Sequence, residues 1–528
     1  MSTSRSSAVK FAALALVLVS LLAVLAPLLP RAYADETAGH LPSVPLSYAA
    51  GASKLYLPLV VKGGSQPGPG ATNTPLPQPG ATNTPTTTPG GSMGNFFLPW
   101  HIGGSGTATN GPSVAVDARG GVHVAYHAYT TDGNGKKPAY YVYCASNCSN
   151  PASFSAPVSL GDKVDHVNLA LDSSGRPRIL WMGIDLSSQK LQAYYYATCD
   201  SSCTNGAKWS VTRVLGTDTV LAHNSRFFAL DPQGRPRFIF YEDWCDANCP
   251  VNKGTFLIYC NSNCASTGSW YKSQIASEKE FDLVSLAITS TGEPRVVAAY
   301  YDTSGSSTVQ YAIYLECNVD CATVTPYVGF NIHAPVLSDD PGGAFRLALD
   351  SSNRPRIALY TGALPSGSAL SANQLYYLWC DATCSTPGSW DGYPLSTPIG
   401  VGTYVDLALG PQSRPRLAYE DVTKGLVYAW CTANCESGTA TWQTKLVDSS
   451  DALDASDPIP PTAPCQVASW FTGKHTSLAF DSAGNPRIAS DAEHWQGLDP
   501  VSNPPGSPGC PTVKMDQINA RIAVLNQP

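Results

Sequence analysis

At 528 residues the chain is long enough for several ordinary domains or for one large repeat architecture. Only 13% of the residues are charged, against roughly 25% in soluble domains generally, so the polar surface rests on Ser, Thr, Asn and backbone. The net charge is −7 and no run of Lys or Arg stands out, which argues against a nucleic-acid footprint or a polybasic membrane patch.

In chain order, Arg5 and Lys10 flank the start of an apolar stretch from Phe11 to Pro30, and Ala32-Tyr33-Ala34 supplies a small-residue cleavage site. Residues 1–34 are therefore expected to be a secretory signal peptide, with an uncleaved membrane anchor as the alternative. Pro27 and Pro30 interrupt a spanning helix, and no later segment approaches the ~18 apolar residues a span requires. The protein is expected outside the cell, free or at the cell surface. Residues 35–64 form a short segment with one apolar piece, Leu55-Tyr56-Leu57-Pro58-Leu59-Val60-Val61. It reads as a single loose strand or a docking element. Residues 65–94 are Gly, Pro, Thr and Asn, with PGATNTP occurring twice, a composition that forms an extended spacer.

After residue 95 one pattern recurs seven times: apolar-Ala-apolar-Asp, a tight turn, then Pro-Arg and an apolar run. Examples are NLALDSSGRPRILW at 168–181 and RLALDSSNRPRIAL at 346–359. Each copy reads as strand, turn, strand. Six copies continue through an aromatic strand into C-x-x-x-C, with an aromatic residue six or seven positions after the second Cys. Seven four-stranded units predict an all-β, seven-bladed propeller over 95–528; an open solenoid would need capping units. The last unit lacks a fourth strand, and the apolar segment at about 95–103 is expected to supply it, closing the ring and removing its sheet edges.

Fourteen of the 16 cysteines form seven such pairs: Cys144 and Cys148, Cys199 and Cys203, Cys245 and Cys249, Cys260 and Cys264, Cys317 and Cys321, Cys380 and Cys384, Cys431 and Cys435. Cys465 and Cys510 remain and are expected to pair. An even count in an exported chain reads as a disulfide framework. Zinc binding is the rival, strongest at the doublet of Cys245 and Cys249 with Cys260 and Cys264, but one pair per blade keeps thiolates apart. No metal or cofactor is expected. Calcium near Asp339 and Asp340 rests on two adjacent acids only, where six to eight oxygens are needed.

The Asp turns and Cys tips should share one rim and serve architecture, with Arg178, Arg237, Arg295, Arg356, Arg416 and Arg487 as rim or interblade residues. Function should sit on the opposite face, where blades differ. On the inner strands a mixed series, Ser113, Asn168, Phe227, Ser285, Arg346, Asp406 and Ser477, precedes the shared Ala by two residues. Ends of second strands add His127, Met182, Tyr241, Glu242, Asp302, Tyr360, Glu420, Asp421 and Asp491, and entry loops add Asp165, His166, His223, Asp339, Asp340 and His475. Tyr241, Arg346, Asp406, Tyr360, His127, His166 and His475 are the binding candidates. Glu420, Asp421, Asp491 and Glu242 are the acid/base candidates should the face do chemistry. Wet propeller mouths also carry such residues without any role.

In its turns the chain resembles the sialidase-like superfamily of secreted propellers with Asp/Gly-turn blades. The resemblance implies the fold; the link to carbohydrate comes from the mouth's composition, whose aromatic residues offer apolar faces and whose acids take hydroxyl hydrogen bonds. The superfamily's Ser-x-Asp-x-Gly-x-x-Trp box is replaced here by Asp-x-x-Gly-x-Pro-Arg. For its three carboxylate-clamping arginines, the mouth side of this chain offers Arg226 and Arg346. No catalytic residue carries over. The expected function is extracellular binding or surface display without catalysis, directed at a polysaccharide or a cell-surface protein, by a monomer. The alternative is a secreted glycoside hydrolase or lyase.

Overall fold

The computed structural model describes residues 94–99, 109–131, 136–185, 190–215, 226–242, 254–277, 281, 283–302, 309–319, 321, 328–335, 345–361, 371, 373–386, 388–395, 401–498, 510 and 513–526. Residues 1–93, with the expected signal peptide, lie outside them.

The strands form seven four-stranded antiparallel sheets. Six are built from consecutive strands, as in the second blade: Val164–Leu171, Pro177–Asp185, Lys190–Cys199 and Trp209–Leu215. First strands of neighbouring blades pack on one another around the central axis. The shared alanines there (Ala115, Ala170, Ala229, Ala287, Ala348, Ala408, Ala479) leave room for the apolar clusters between blades. The seventh blade takes Ala468–Phe480, Pro486–Gln496 and Lys514–Val524 from the chain end. Its fourth strand is Gly94–Phe97, pairing Gly94 with Val524 and Phe97 with Arg521. That strand is shorter than the 95–103 expected. Phe97 packs on Trp470 with ring centroids 5.6 Å apart, and Arg521 lies 4.3 Å over the Phe97 ring.

In five blades the turn between first and second strands is organised mainly by its Asp. Asp350 Oδ1 accepts the N–H groups of Ser352 and Arg354, both at 2.9 Å. Its Oδ2 takes Arg354 Nε at 2.6 Å and Arg356 Nη2 at 3.0 Å. Arg356 then reaches the Cys tip of the same blade, donating to Cys380 O at 3.0 Å and Asp381 Oδ1 at 2.9 Å. The same knot recurs around Asp172 with Arg178 and Asp200, and around Asp231 with Arg237 and Asn261. The rim arginines therefore work mainly within their own blade. Arg356 adds an interblade pair, with Glu436 at 2.8 Å.

Seven disulfides are present among the described residues. Six clip the blade tips: Cys144 to Cys148, Cys199 to Cys203, Cys260 to Cys264, Cys317 to Cys321, Cys380 to Cys384 and Cys431 to Cys435. The seventh joins Cys465 to Cys510. Cys260 and Cys264 are bonded to each other, so that half of the doublet offers no thiolate for zinc. The other half, Cys245 and Cys249, lies outside the described residues, and its pairing stays an expectation. At each tip the Cα atoms stand 5.7 or 5.8 Å apart, the span a hairpin-facing pair bridges without backbone movement. Cys148 and Cys384 are buried in the apolar clusters beside their blades, while Cys264 and Cys321 pack partly buried against theirs. The residue before the second Cys turns left-handed at several tips, as in Asn147 (φ 55°) before Cys148 and Asn263 (φ 53°) before Cys264. The aromatic six positions on closes the tip: Trp209, Trp270 and Trp390 donate their indole N–H to the Cys203, Cys264 and Cys384 carbonyls at 2.8, 3.1 and 2.8 Å.

The knot can be tested by removing its acid. Asp350→Ala removes the acceptor shared by two turn N–H groups, Arg354 and Arg356; the arginines keep Asp381 and Glu436, so unfolding in urea should show a loss of about 1–3 kcal/mol. Burial raises the Asp350 pKa, but the N–H groups and charges of Arg354, Ser352 and Arg356 outweigh it and hold the carboxyl below the ordinary aspartate range. Its stabilisation is thus complete at neutral pH and lost as pH falls through that lowered value. Melting curves taken at descending pH should converge for wild type and Asp350→Ala once pH has fallen through that lowered value; curves that stay parallel would refute the linkage.

Candidate functional site

The mixed inner-strand series lies midway along the channel, and the structure uses it to join blades. Ser113 Oγ accepts Leu169 N–H at 3.1 Å, Ser285 Oγ accepts Leu347 N–H at 3.0 Å, and Asp406 Oδ2 accepts Leu478 N–H at 2.7 Å. Ser477 Oγ accepts Val114 N–H at 2.8 Å across the closure. In each case one blade's side chain satisfies the next blade's inner-strand amide. From the third blade Arg226 spans the axis. It donates to Ser113 Oγ and Asp406 Oδ2, both at 2.8 Å, and to Ser477 Oγ. Arg346 Nε approaches Asp406 Oδ1 at 3.4 Å. Burial pushes the Arg346 pKa down to about 10, against the pull of Asp406. Arg226, Arg346 and Asp406 thus form a cross-channel latch.

Two residues nearer the mouth, about 7 Å along a strand, the equivalent positions are Gly111, His166, Tyr404 and His475 in blades one, two, six and seven. This layer holds a polar string across three blades. His475 Nδ1 donates to Asp491 Oδ2 at 2.7 Å. The same oxygen accepts Gly111 N–H at 2.9 Å. His127 lies beside Gly111, where a Cβ would stand 3.2 Å from its Nε2. Its Nδ1 donates to Ala128 O at 3.1 Å, and its Nε2 is 3.9 Å from Asp165 Oδ1. Asp165 Oδ2 in turn is 3.9 Å from His166 Nε2, which has no hydrogen bond among the described residues. The Tyr404 and His475 rings meet edge-on at 4.6 Å.

The backbone carries a cost here. His166 (φ 43°) and His475 (φ 47°) are left-handed, and Gly111 (φ 61°) shares the conformation. All three sit at breaks in the pairing of first and second strands. Left-handed non-glycine residues concentrate at functional sites, where surrounding structure holds them. Burial drives the His127 pKa down to about 3 and lowers that of His166. Burial also raises Asp491, although its hydrogen bond to His475 pulls the other way. Alongside, Lys474 Nζ pairs with Glu493 Oε2 at 2.7 Å and lies 5.8 Å from the Trp495 ring centroid.

The candidates therefore separate. His127, His166, His475 and Asp491 come together over blades seven, one and two. Arg346 and Asp406 belong to the latch below them. Asp421 caps its own turn, accepting Thr423 N–H at 3.0 Å and Thr423 Oγ1 at 2.7 Å. Glu420 is buried and lies near Tyr360 in the sixth-to-fifth blade junction, where burial and then the Glu420 charge raise the Tyr360 pKa. Tyr241 and Glu242 end the strand Pro236–Glu242, with side chains outside the described set, as is that of Asp302. His223, Asp339 and Asp340 are also outside it. Among the described residues no group of three His, Cys, Asp or Glu is placed to hold a metal. Sequence reasoning missed Tyr404, Gly111 and Lys474; aligning the position two before the mixed series would have exposed the first two.

His127 is neutral when folded and takes up a proton on unfolding in acid. A lowered histidine pKa gives stability that is complete above about pH 6.5 and lost as pH falls toward 3. His127→Gln should flatten that slope in melting temperature against pH; an unchanged slope would place the titration elsewhere.

No family model matches the sequence, and no curated protein matches it. Solved structures do resemble the fold. A polysaccharide lyase of family PL25, an ulvan lyase bound to -[GlcA(1-4)Rha3S]-, is 11% identical, covers 78% of this chain and 94% of its own, and has a TM-score of 0.43. The NanB sialidase from Streptococcus pneumoniae is 12% identical, with 84% and 71% covered and a TM-score of 0.39. A GH43_1 enzyme from Xanthomonas citri complexed with xylotriose is 12% identical, with 61% and 92% covered and a TM-score of 0.30. At such identities function must be argued from this chain's own residues.

Proposed function

We propose that this protein is an extracellular propeller that engages carbohydrate at the mouth of its channel, over blades seven, one and two. The observation that carries the reading is the matched pair of left-handed histidines, His166 and His475, each beside an aspartate and separated by Gly111. Neutral imidazoles both donate to and accept from hydroxyls, while the half-buried Trp495 adds aromatic surface of the kind sugar sites use and the buried Tyr404 ring backs His475. The latch beneath gives this mouth a polar floor. An extracellular setting accords with the seven disulfides. Among the described residues no helix is long and apolar enough to cross a membrane.

A second reading, a carbohydrate-cleaving enzyme, is favoured by one contact. Asp491 holds His475 through Nδ1 at 2.7 Å, the carboxylate–imidazole pairing that orients a histidine for acid/base work. A two-carboxylate hydrolase is less well served, because Asp491, Asp421 and Asp406 are all engaged within the fold.

Purified secreted protein applied to a polysaccharide panel should be retained on at least one polymer without releasing sugar. His166→Ala and His475→Ala should each weaken that retention roughly tenfold, the effect of losing about 1.4 kcal/mol. Released product abolished in His475→Ala would establish the enzymatic reading. Neither retention nor product across the panel would refute both.

A further inference from the structure

The Asp knot is kept in some form by six of the seven blades. Asp117, Asp172, Asp231, Asp350 and Asp481 each accept two turn N–H groups on Oδ1. The fourth blade has Thr289 instead but moves the acid four residues on. Glu293 takes the hydroxyls of Thr289 and Thr291 and lies near Arg295.

The sixth blade has no acid at either place. Its turn reads Gly410-Pro411-Gln412-Ser413-Arg414-Pro415-Arg416. The framing bond survives, Gly410 N–H to Arg414 O at 2.9 Å, so the turn keeps its place in the blade. The groups that converge on a carboxylate elsewhere do not have one here. Arg416 stands where Arg356 stands in the fifth blade, yet its Nη1 is buried with no hydrogen bond. Its guanidinium turns instead to the Tyr428 side chain, as a nearby charge and a hydrogen-bonding group, with no carboxylate in reach among the described residues. Arg414 matches Arg354, but its side chain is exposed and has no ion pair among the described residues. The Cys tip gives no relief either, because Thr432 follows the first Cys where the fifth blade has Asp381. Beside this turn a cleft of about 480 Å³ is lined by Gln412, Ser413, Arg414, Asn434, Glu436 and Arg354. Its acids are already neutralised: Asp350 binds Arg354 at 2.6 Å and Glu436 binds Arg356 at 2.8 Å. The unbalanced charge at this edge is positive, on Arg414 and Arg416, in a chain whose net charge is −7.

We propose that the sixth-blade turn is a binding site for a small external carboxylate, which takes the place of the aspartate that this repeat lacks. In the fifth blade the matching arginines, Arg354 and Arg356, share one aspartate oxygen, and guanidinium groups are suited to the two oxygens of a carboxylate. The cleft volume falls within the range of small-ligand sites. The site is on the rim opposite the mouth and is independent of the carbohydrate reading.

Melting temperature of the whole protein should be followed against sodium acetate, sodium glucuronate and sodium sulfate, each matched in ionic strength with chloride. The carboxylates should give a saturable rise that chloride does not. Gly410→Asp supplies the missing group in cis. Gly410 has an ordinary extended backbone (φ −76°, ψ −167°), and a Cβ there meets Arg416 Nε at 3.0 Å, at the end of a flexible side chain that can shift, and the Arg414 carbonyl oxygen at 3.7 Å. This variant should melt higher than wild type without added anion and lose the carboxylate response. Arg414→Ala, at an exposed side chain, should lose the response without gaining stability. A carboxylate rise no larger than that of chloride, or one of equal size in Gly410→Asp and Arg414→Ala, would overturn the proposal. A variant-sensitive rise with sulfate alone would overturn its assignment to carboxylates.

Discussion

Everything above the rim of this propeller stands on one electrostatic arrangement, an aspartate that gathers two backbone amides and two cationic or amide side chains at the base of a blade. Without the carboxylate the Ser352 and Arg354 amides would lose their acceptor, each such orphan costing about 1–3 kcal/mol when buried, and Arg354 and Arg356 would be left to Asp381 and Glu436 alone. With it, the arginine is free to reach the far hairpin and hold the Cys tip by its carbonyl. The disulfide then closes a loop too short to gain much from chain entropy; its work is to hold the tip in the shape the arginine and the indole N–H grasp.

Ring closure is a second use of the same economy of polar groups. An inner strand beside the axis offers amides that its own sheet does not satisfy, so each blade's polar side chain serves its neighbour. Arg226 adds a tie across the ring, joining the third blade to the first, sixth and seventh. The ends of the chain meet in the seventh blade, where Gly94–Phe97 covers an edge that Lys514–Val524 would otherwise expose. Such an edge would invite pairing with other chains.

Because architecture occupies one rim and the middle of the channel, the mouth is where blades are free to differ. It is there that two histidines adopt left-handed backbone at matching positions and that a glycine between them admits His127. The departures at the other rim are fewer and for that reason informative: a repeat that keeps its acid six times and omits it once marks Gly410 as a position under a different demand.

Local sequence determined the blades, because turn residues, strand alternation and C-x-x-x-C spacing act over a few residues and read directly as hairpins. It also carried the pairing of Cys465 with Cys510 by elimination, and the closing strand by the missing fourth strand of the last repeat. The candidate site was legible only in part. His127, His166, His475 and Asp491 could be placed at the mouth, yet Arg346 and Asp406, indistinguishable from them by residue type, lie in the latch, and Asp421 serves its own turn. Which polar side chain meets a ligand and which meets a neighbouring blade depends on contacts between residues as far apart as Arg226 and Ser477. Those contacts exist only once the ring has closed, so only the tertiary structure decides them.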